Sequence, residues 1–250
     1  MELTAEQIQS NWEKFIGYIN TYISDPRREK LIAFYTKHED EVAMMPASHK
    51  KAYHNAFPGG YVDHVNRVIE AALEFNKTWL MFGAEENYTV EELVFSALNH
   101  DLGKMGDGKE YAHKPSQDEW RKKNLGEMYT FNKKLSYMSV PERSIKLLVD
   151  AGITPTENEW LAIRLHDGLY DPANEPYLKS FMPELKPRTS LIFIIHQADL
   201  MAARIEFEKV WLPKFNNTSE GKPKDKKVGI KNKTLGSIKS EGLKDMLNSL

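Results

Sequence analysis

The chain of 250 residues contains no cysteine. Disulfide bonds, thiolate nucleophiles and zinc sites with thiolate ligands are therefore excluded. The sequence also lacks a run of about 18 apolar residues that could span a membrane, and its first residues do not follow the pattern of a signal peptide. The formal net charge is only −2, so general attraction to nucleic acid or anionic lipid is not expected. We expect a cytoplasmic protein with no membrane partner.

Apolar side chains recur at helical spacing along most of the chain, which predicts an all-α fold. An apolar content of 41% is enough to bury a sizeable core. Helix N-termini are predicted by capping boxes, in which a threonine is followed three residues later by Gln or Glu. Such sequences begin at Thr4, Thr89 and Thr156. A single helical bundle is therefore expected.

Three regions of the chain differ in composition. Residues 1–52 predict an N-terminal helical hairpin packed on the core, and residues 53–212 form the core itself. From residue 213 onward lysine, glycine and asparagine replace apolar residues, which predicts a flexible, locally basic tail over residues 213–250. A solvated terminus is the commoner role for such a tail, and an arm that binds nucleic acid is the alternative.

The most informative stretch is LVFSALNHDLGK, residues 93–104. Asp101 continues the apolar stripe of Val94 and Leu98, at a position where hydrocarbon would be expected, so its carboxylate requires a cation. His100 supplies an imidazole beside it, and Lys104 could attract an anionic substrate. An isolated His–Asp pair is more often satisfied by hydrogen bonds than by a metal ion. Further ligands must therefore come from elsewhere in the chain.

Two other predicted helices carry polar residues on their apolar faces. The loop YHNAFPGG leads into a helix on which His64 shares a face with Val68, and the very apolar helix beyond residue 187 carries Asp199 on the face of Ile195. Two imidazoles and two carboxylates make a nitrogen and oxygen ligand set. This set favours a divalent ion of Mn, Co, Ni, Fe, Mg or Zn. A bound divalent ion predicts metal-assisted hydrolysis of a phosphate ester, and Lys104 could hold the charge of the phosphate.

The segment after Lys104 is polar and contains glycine, which predicts an irregular loop that could cover the site as a lid. From about Gln117, apolar residues at Trp120, Leu125 and Phe131 predict a further helix.

The order His64, His100-Asp101, Asp199 resembles the motif of the HD-domain phosphohydrolases. The resemblance covers roughly residues 53–204. HNAFPGGYVDH resembles the family branch that includes 3′-to-5′ exoribonucleases, NHDLGK is similar to the His–Asp signature, and LHDGLYD and HQADLMAAR resemble the later segments.

This resemblance implies a helical HD domain in which His64, His100, Asp101 and Asp199 bind the metal. His166 falls where family members place a histidine that binds a second metal or acts on the leaving group. The chain has Gly126 and Glu127 where a further ligand would be expected, which favours one metal over two and leaves His166 to shuttle protons. Glu127 could orient the attacking water, although a solvated glutamate is the commoner role.

The remaining polar candidates have alternative roles. His54 could contact phosphate, or it could be a loop histidine bonded to backbone. His113 with Lys114 could clamp a polyphosphate from the covering loop, or both could belong to an exposed polar loop. His196 is expected to pack or to support a neighbour rather than to bind the metal.

Three functions are compatible with the sequence. The first is hydrolysis of a small phosphorylated substrate, most simply a deoxynucleoside mono- or triphosphate. The second is a phosphodiesterase or 3′-to-5′ exonuclease that acts on single-stranded nucleic acid. The resemblance to the branch with 3′-to-5′ exoribonucleases and the basic tail both favour it. The third is a non-catalytic, metal-stabilised binding module. A homo-oligomer is compatible with all three.

Overall fold

The computed structural model describes residues 3–50 and 53–212. Within this part of the chain the predicted all-α fold is confirmed, because helices dominate and a single two-stranded sheet interrupts them. The predicted basic tail lies outside the described residues. The α-helices are α1 (Ala5–Tyr22), α2 (Arg27–Lys37), α3 (Glu39–Met44), α4 (Gly60–Met81), α5 (Val90–Asn99), α6 (Glu119–Leu125), α7 (Val140–Asp150), α8 (Glu157–Leu165), α9 (Glu175–Leu178) and α10 (Leu191–Glu206).

Short turns of other helix types connect or extend these elements. The 3₁₀ turns are Leu102–Met105, Gly168–Tyr170, Pro172–Asn174 and Pro183–Leu185, and the π-helix Phe207–Trp211 follows α10. None of the described helices is long and apolar enough to span a membrane.

The three predicted capping boxes are present. The hydroxyl of Thr4, Thr89 and Thr156 accepts a hydrogen bond from the backbone N–H three residues later, at the starts of α1, α5 and α8. Each box also contains the reciprocal bond from the threonine N–H to the side chain of the following Gln or Glu. These bonds satisfy backbone donors that have no partner within the helix, which fixes where the helices begin.

The N-terminal helices share the core of the helices that follow them. Phe15 and Ile19 on α1 and Leu31 and Tyr35 on α2 are fully buried, and α1 packs against α4 and α5. The ring of Phe15 meets the edge of Tyr35 with 4.8 Å between ring centroids. The short helix α3 follows where the sequence predicts only the end of a hairpin. The described residues up to Trp211 accordingly form one compact unit.

The central helices pack against one another around a core that includes buried alanines. Helix α4 packs against α5 and α10, and α10 also packs against α8. Each of these helices carries a buried alanine, namely Ala72 on α4, Ala97 on α5, Ala162 on α8 and Ala198 on α10. A short side chain lets two helix backbones approach closely. This packing places the predicted ligand helices side by side.

The lid region differs from the prediction. Its predicted helix, from about residue 117 to 131, is wrong beyond Leu125: α6 ends there because Gly126 adopts a left-handed φ of 63°, where glycine is unstrained. The chain then forms strand β2 (Tyr129–Phe131), which pairs antiparallel with strand β1 (His113–Pro115) in the segment predicted to be irregular. In this register His113 faces Phe131.

Candidate metal centre

Four predicted ligands meet where α4, α5 and α10 pack together. His64 lies in α4, His100 caps the C-terminal end of α5, and Asp101 begins the turn after it. Asp199 lies in α10. Because α5 ends at Asn99, His100 and Asp101 leave the regular helix, and both side chains can turn toward the same point.

The ligand atoms lie within a few ångströms of one another. His64 Nε2 is 3.1 Å from Asp199 Oδ1 and 3.7 Å from Asp101 Oδ2. His100 Nε2 is 3.5 Å from Asp101 Oδ2 and 3.8 Å from Asp199 Oδ1. All four residues therefore direct donor atoms at one small volume.

Two of these candidate metal-ligating atoms have no hydrogen-bond partner among the described residues. Nε2 of His64 and Nε2 of His100 are buried, and neither forms a hydrogen bond with any described residue. Buried polar atoms are normally paired, so two such nitrogens beside two carboxylates require an explanation. A divalent ion bound by both nitrogens and by the carboxylates would provide one. The residues present fit a metal ion.

His166 belongs to the same cluster. Its Nε2 lies 3.7 Å from Asp101 Oδ1, and its ring centroid is 4.9 Å from that of His100. Three overlapping groups could hold an ion, namely His64 with His100 and Asp101, His100 with His166 and Asp199, and His54 with His64 and Glu206. In the second group His166 could itself be a ligand, which is an alternative to the role in proton transfer predicted from the sequence.

The backbone holds the rings of His100 and His166 in place. Nδ1 of His100 is 2.7 Å from the carbonyl of Ala97, and Nδ1 of His166 is 2.8 Å from the carbonyl of Ile163. A carbonyl only accepts, so Nδ1 carries the proton and Nε2 is left to bind an ion. His196 supports this arrangement, as predicted: its Nδ1 lies 2.7 Å from the carbonyl of His166.

Neighbouring charges shift the pKa values of Asp101, Asp199 and His64. Burial alone would raise the pKa of Asp101, but Lys104 and His100 lower it well below the usual value. Burial would likewise raise the pKa of Asp199, which His64 and His100 lower instead. In the metal-free protein the pKa of His64 rises to about 10, because Glu206 and Asp199 outweigh its burial.

Lys104 and His166 carry the remaining positive charge beside the carboxylates. Lys104 contacts Asp101 directly, and this contact raises the pKa of Lys104 in spite of burial. The pKa of His166 rises to about 9, because Asp101 and Asp167 outweigh the effect of burial. Both groups can therefore offer a proton or a positive charge to an anion.

A cavity of about 800 Å³ opens beside the cluster. Its polar wall includes Lys104, His166, Asp199, His54 and His113. Its apolar wall includes Tyr53, Phe131, Met138, Val140, Leu200 and Phe207.

Two histidines of the cavity have buried nitrogens without partners. His54 Nε2 and His113 Nδ1 form no hydrogen bond with any described residue. Burial, with smaller effects of His64 and Lys104, lowers the pKa of His54 well below its usual value. Burial and Lys104 lower the pKa of His113 to about 4. Both rings are therefore neutral at pH 7 and can hydrogen-bond a ligand.

Two sequence-predicted residues lie elsewhere. Glu127 forms ion pairs with Lys50 at 3.3 Å and Arg121 at 2.7 Å, and Lys114 is bonded to Glu110 at 2.9 Å. Neither side chain lines the cavity. We find no geometric support for Glu127 as the residue that orients water or for Lys114 as part of a phosphate clamp, because their charges are satisfied by neighbours.

Close packing holds the His–Asp turn against α7. A Cβ atom at Gly103 would lie 2.2 Å from the carbonyl oxygen of Val140, so only glycine fits without a shift of the backbone. The hydroxyl of Ser144 accepts a hydrogen bond from Gly103 N at 2.7 Å and lies 3.1 Å from the carbonyl of His100. Helix α7 therefore supports the turn that carries His100 and Asp101.

The sequence interpretation missed one residue of the site, Glu206. Both of its carboxylate oxygens contact His64 Nδ1, at 3.1 and 3.2 Å. Glu206 lies seven residues after Asp199, about two helical turns, and so shares the inner face of α10. This spacing was the signal that could have identified it.

No protein-family model, curated protein or solved structure matches this chain. The resemblance to HD-domain phosphohydrolases therefore stays a prediction from the motifs, and the case for function depends on the geometry of the site.

Proposed function

We propose that this chain is a metal-dependent phosphohydrolase that acts on a nucleotide or a similar small phosphate ester. The observation that carries the proposal is the pair of buried, unpartnered nitrogens, His64 Nε2 and His100 Nε2, beside the carboxylates of Asp101 and Asp199. Such a mixed set suits Mn, Co, Ni, Fe, Mg or Zn. One ion held by these four residues is the simplest arrangement, and His166 would be a ligand if a second ion bound.

The chemistry divides between the ion and the side chains around it. A divalent ion would supply Lewis acidity toward a phosphoryl oxygen and lower the pKa of water. Lys104 would neutralise charge on the phosphate, since its ammonium group already lies beside Asp101 at the cavity wall. His166, with its raised pKa, would hold a proton at Nε2 and transfer it to the leaving oxygen.

The cavity supports a small substrate. A volume of about 800 Å³ lies within the range that holds small-molecule ligands. His54 and His113 would orient the substrate through hydrogen bonds from neutral rings, and the apolar wall with Tyr53 and Phe131 would contact a planar base.

The two alternatives have less support in the described residues. A nuclease would use the lysine-rich tail, which lies outside them. A purely structural metal site is normally coordinatively closed, whereas this cluster borders a ligand-sized cavity. An enzyme acting on a small molecule therefore remains our proposal.

The test is hydrolysis of a nucleotide panel by purified protein in the presence of Mn²⁺ or Co²⁺. Release of phosphate, pyrophosphate or triphosphate is expected from the native protein and from the control variant Asp150→Asn, whose exposed carboxylate pairs with Lys146. Asp101→Asn should lose at least about 100-fold in rate, because it removes a ligand of the proposed ion. Equal rates for native protein and Asp101→Asn would refute the proposal.

A further inference from the structure

The imidazole of His64 is contacted on both nitrogens by carboxylates from the same helix. Asp199 approaches Nε2 at 3.1 Å, and Glu206 approaches Nδ1 at 3.1 Å. A carboxylate only accepts hydrogen bonds, so Glu206 requires the proton of a neutral His64 to reside on Nδ1. Nε2, the nitrogen without a hydrogen-bond partner, then keeps its lone pair for the metal.

Glu206 is itself held in one position. Glu206 is 2% exposed, and its carboxylate contacts the guanidinium of Arg67, which lies one turn after His64 on α4. Arg67 also pairs with Asp63 at 3.1 Å, and Asp63 accepts a bond from Asn55 at 2.9 Å. A buried carboxylate is costly unless it is paired, and Arg67 and His64 provide that pairing. Both oxygens of Glu206 face Nδ1 of His64, whereas the ion proposed above is bound through Nε2, so Glu206 does not belong to the ligand set of that ion.

His64 differs in this respect from the two other histidines of the cluster. Nδ1 of His100 faces the carbonyl of Ala97, and Nδ1 of His166 faces the carbonyl of Ile163. A carboxylate partner makes an imidazole more basic than a neutral carbonyl does and so makes it a stronger metal donor. Of these three histidines, His64 is therefore the one whose partner increases its strength as a metal donor most.

We propose that Glu206, held by Arg67, is a positioning residue that fixes the tautomer and increases the donor strength of His64, and thereby sets the metal affinity of the site. This inference rests on the metal site proposed above but not on the identity of the substrate. It assigns two functions to α10, which supplies one carboxylate to the ion and a second carboxylate to the histidine opposite.

The experiment is calorimetric titration of the metal-free full-length protein with Zn²⁺. Glu206→Gln keeps the shape and the acceptor oxygen but removes the charge, so the dissociation constant should rise roughly 10- to 100-fold. The matched control is Glu208→Gln, because Glu208 is exposed and pairs with Arg204 at 2.8 Å on the same turn of chain. The Zn²⁺ dissociation constant of Glu208→Gln should stay within about twofold of the native value, since Glu208 pairs with Arg204 rather than with His64.

The outcomes distinguish failure of this inference from failure of the proposed metal site. Native affinity in Glu206→Gln would overturn the role of Glu206 while leaving the metal site intact. Absence of binding of both Zn²⁺ and Mn²⁺ by native protein would overturn the metal site and this inference together.

A second measurement needs no variant. Long-range ¹H–¹⁵N spectra of the native Zn²⁺ complex should show His64 with its proton on Nδ1. A proton on Nε2 would overturn the inference, even if Glu206→Gln failed to fold in circular dichroism.

Discussion

His64 Nε2 and Asp199 Oδ1 lie 3.1 Å apart, although their helices are separated in sequence by most of the domain. Packing of α4 against α10 brings them together. A buried histidine whose Nε2 has no hydrogen-bond partner, together with a carboxylate from a distant helix and with His100 nearby, is typical of a site that binds an ion.

Removal of Asp199 should abolish stabilisation by metal. At a Mn²⁺ concentration of about 100 times the dissociation constant, binding stabilises the native domain by about 2.7 kcal/mol, or roughly 5–10 °C in Tm. Asp199→Asn should lose most of this increase, and Asp150→Asn should keep it. Differential scanning fluorimetry with and without Mn²⁺ measures the difference, and an undiminished increase in Asp199→Asn would contradict the ligand assignment.

The His–Asp turn should not tolerate a side chain at position 103. Gly103→Ala would place Cβ 2.2 Å from the Val140 carbonyl oxygen, so the free energy of unfolding should fall by about 1–3 kcal/mol. Gly17→Ala is the matched control, because nothing lies within 4 Å of its added Cβ and α1 is a regular helix. That control should gain up to about 1 kcal/mol. Urea denaturation compares both variants, and equal stability for both would be inconsistent with the packing described.

Acid should destabilise the metal-free domain partly through His113. Its pKa is lowered to about 4 by burial and by Lys104 and His49, whereas the unfolded chain titrates near its ordinary value of 6.5. The stability contributed by neutral His113 is therefore present above pH 6.5 and is lost as the pH falls toward 4. Between pH 6.5 and pH 5 the loss should be about 2 kcal/mol, at 1.36 kcal/mol per pKa unit.

The variant His113→Gln should lose correspondingly less stability over the same pH interval. Denaturation at several pH values in the presence of a chelator measures this difference. An identical pH dependence for variant and native protein would show that His113 is not buried in its neutral form.

The neutral histidines of the cavity should act on substrate binding. His54→Ala should raise KM roughly 10-fold with a smaller change in kcat, because its buried Nε2 would lose a hydrogen bond to a part of the substrate that does not react. Lys114→Ala should leave both constants unchanged, since Lys114 pairs with Glu110 outside the cavity. Steady-state kinetics with the best nucleotide substrate measure KM and kcat for both variants. A larger effect from Lys114→Ala than from His54→Ala would reverse our assignment.

Local sequence signals predicted much of the architecture. The capping boxes at Thr4, Thr89 and Thr156 fix helix starts through bonds between residues three apart, which a sequence pattern can display. His64 and Asp199 were recognisable because each interrupts an apolar stripe with a polar group, which is costly without a partner.

Other features depend on contacts between distant segments and were not predictable. The pairing of β1 with β2 involves three residues on each strand, too few to show an alternating pattern. The seven-residue spacing from Asp199 indicates that Glu206 shares the inner face of α10, but its pairing does not follow from the sequence. Glu206 begins the charged run EFEK, which is typical of a solvated helix end, and its contacts with Arg67 and His64 depend on the approach of α4. Glu127 and Lys114 were misleading for the converse reason, because nearby residues of opposite charge already satisfy them.

Anomalous diffraction from crystals grown with Mn²⁺ or Co²⁺ tests the central claim most directly. The account predicts a strong peak about 2 Å from His64 Nε2 and His100 Nε2 and from carboxylate oxygens of Asp101 and Asp199. Metal-loaded crystals with no peak among these four residues, or with an ordered ion bound only elsewhere, would contradict it.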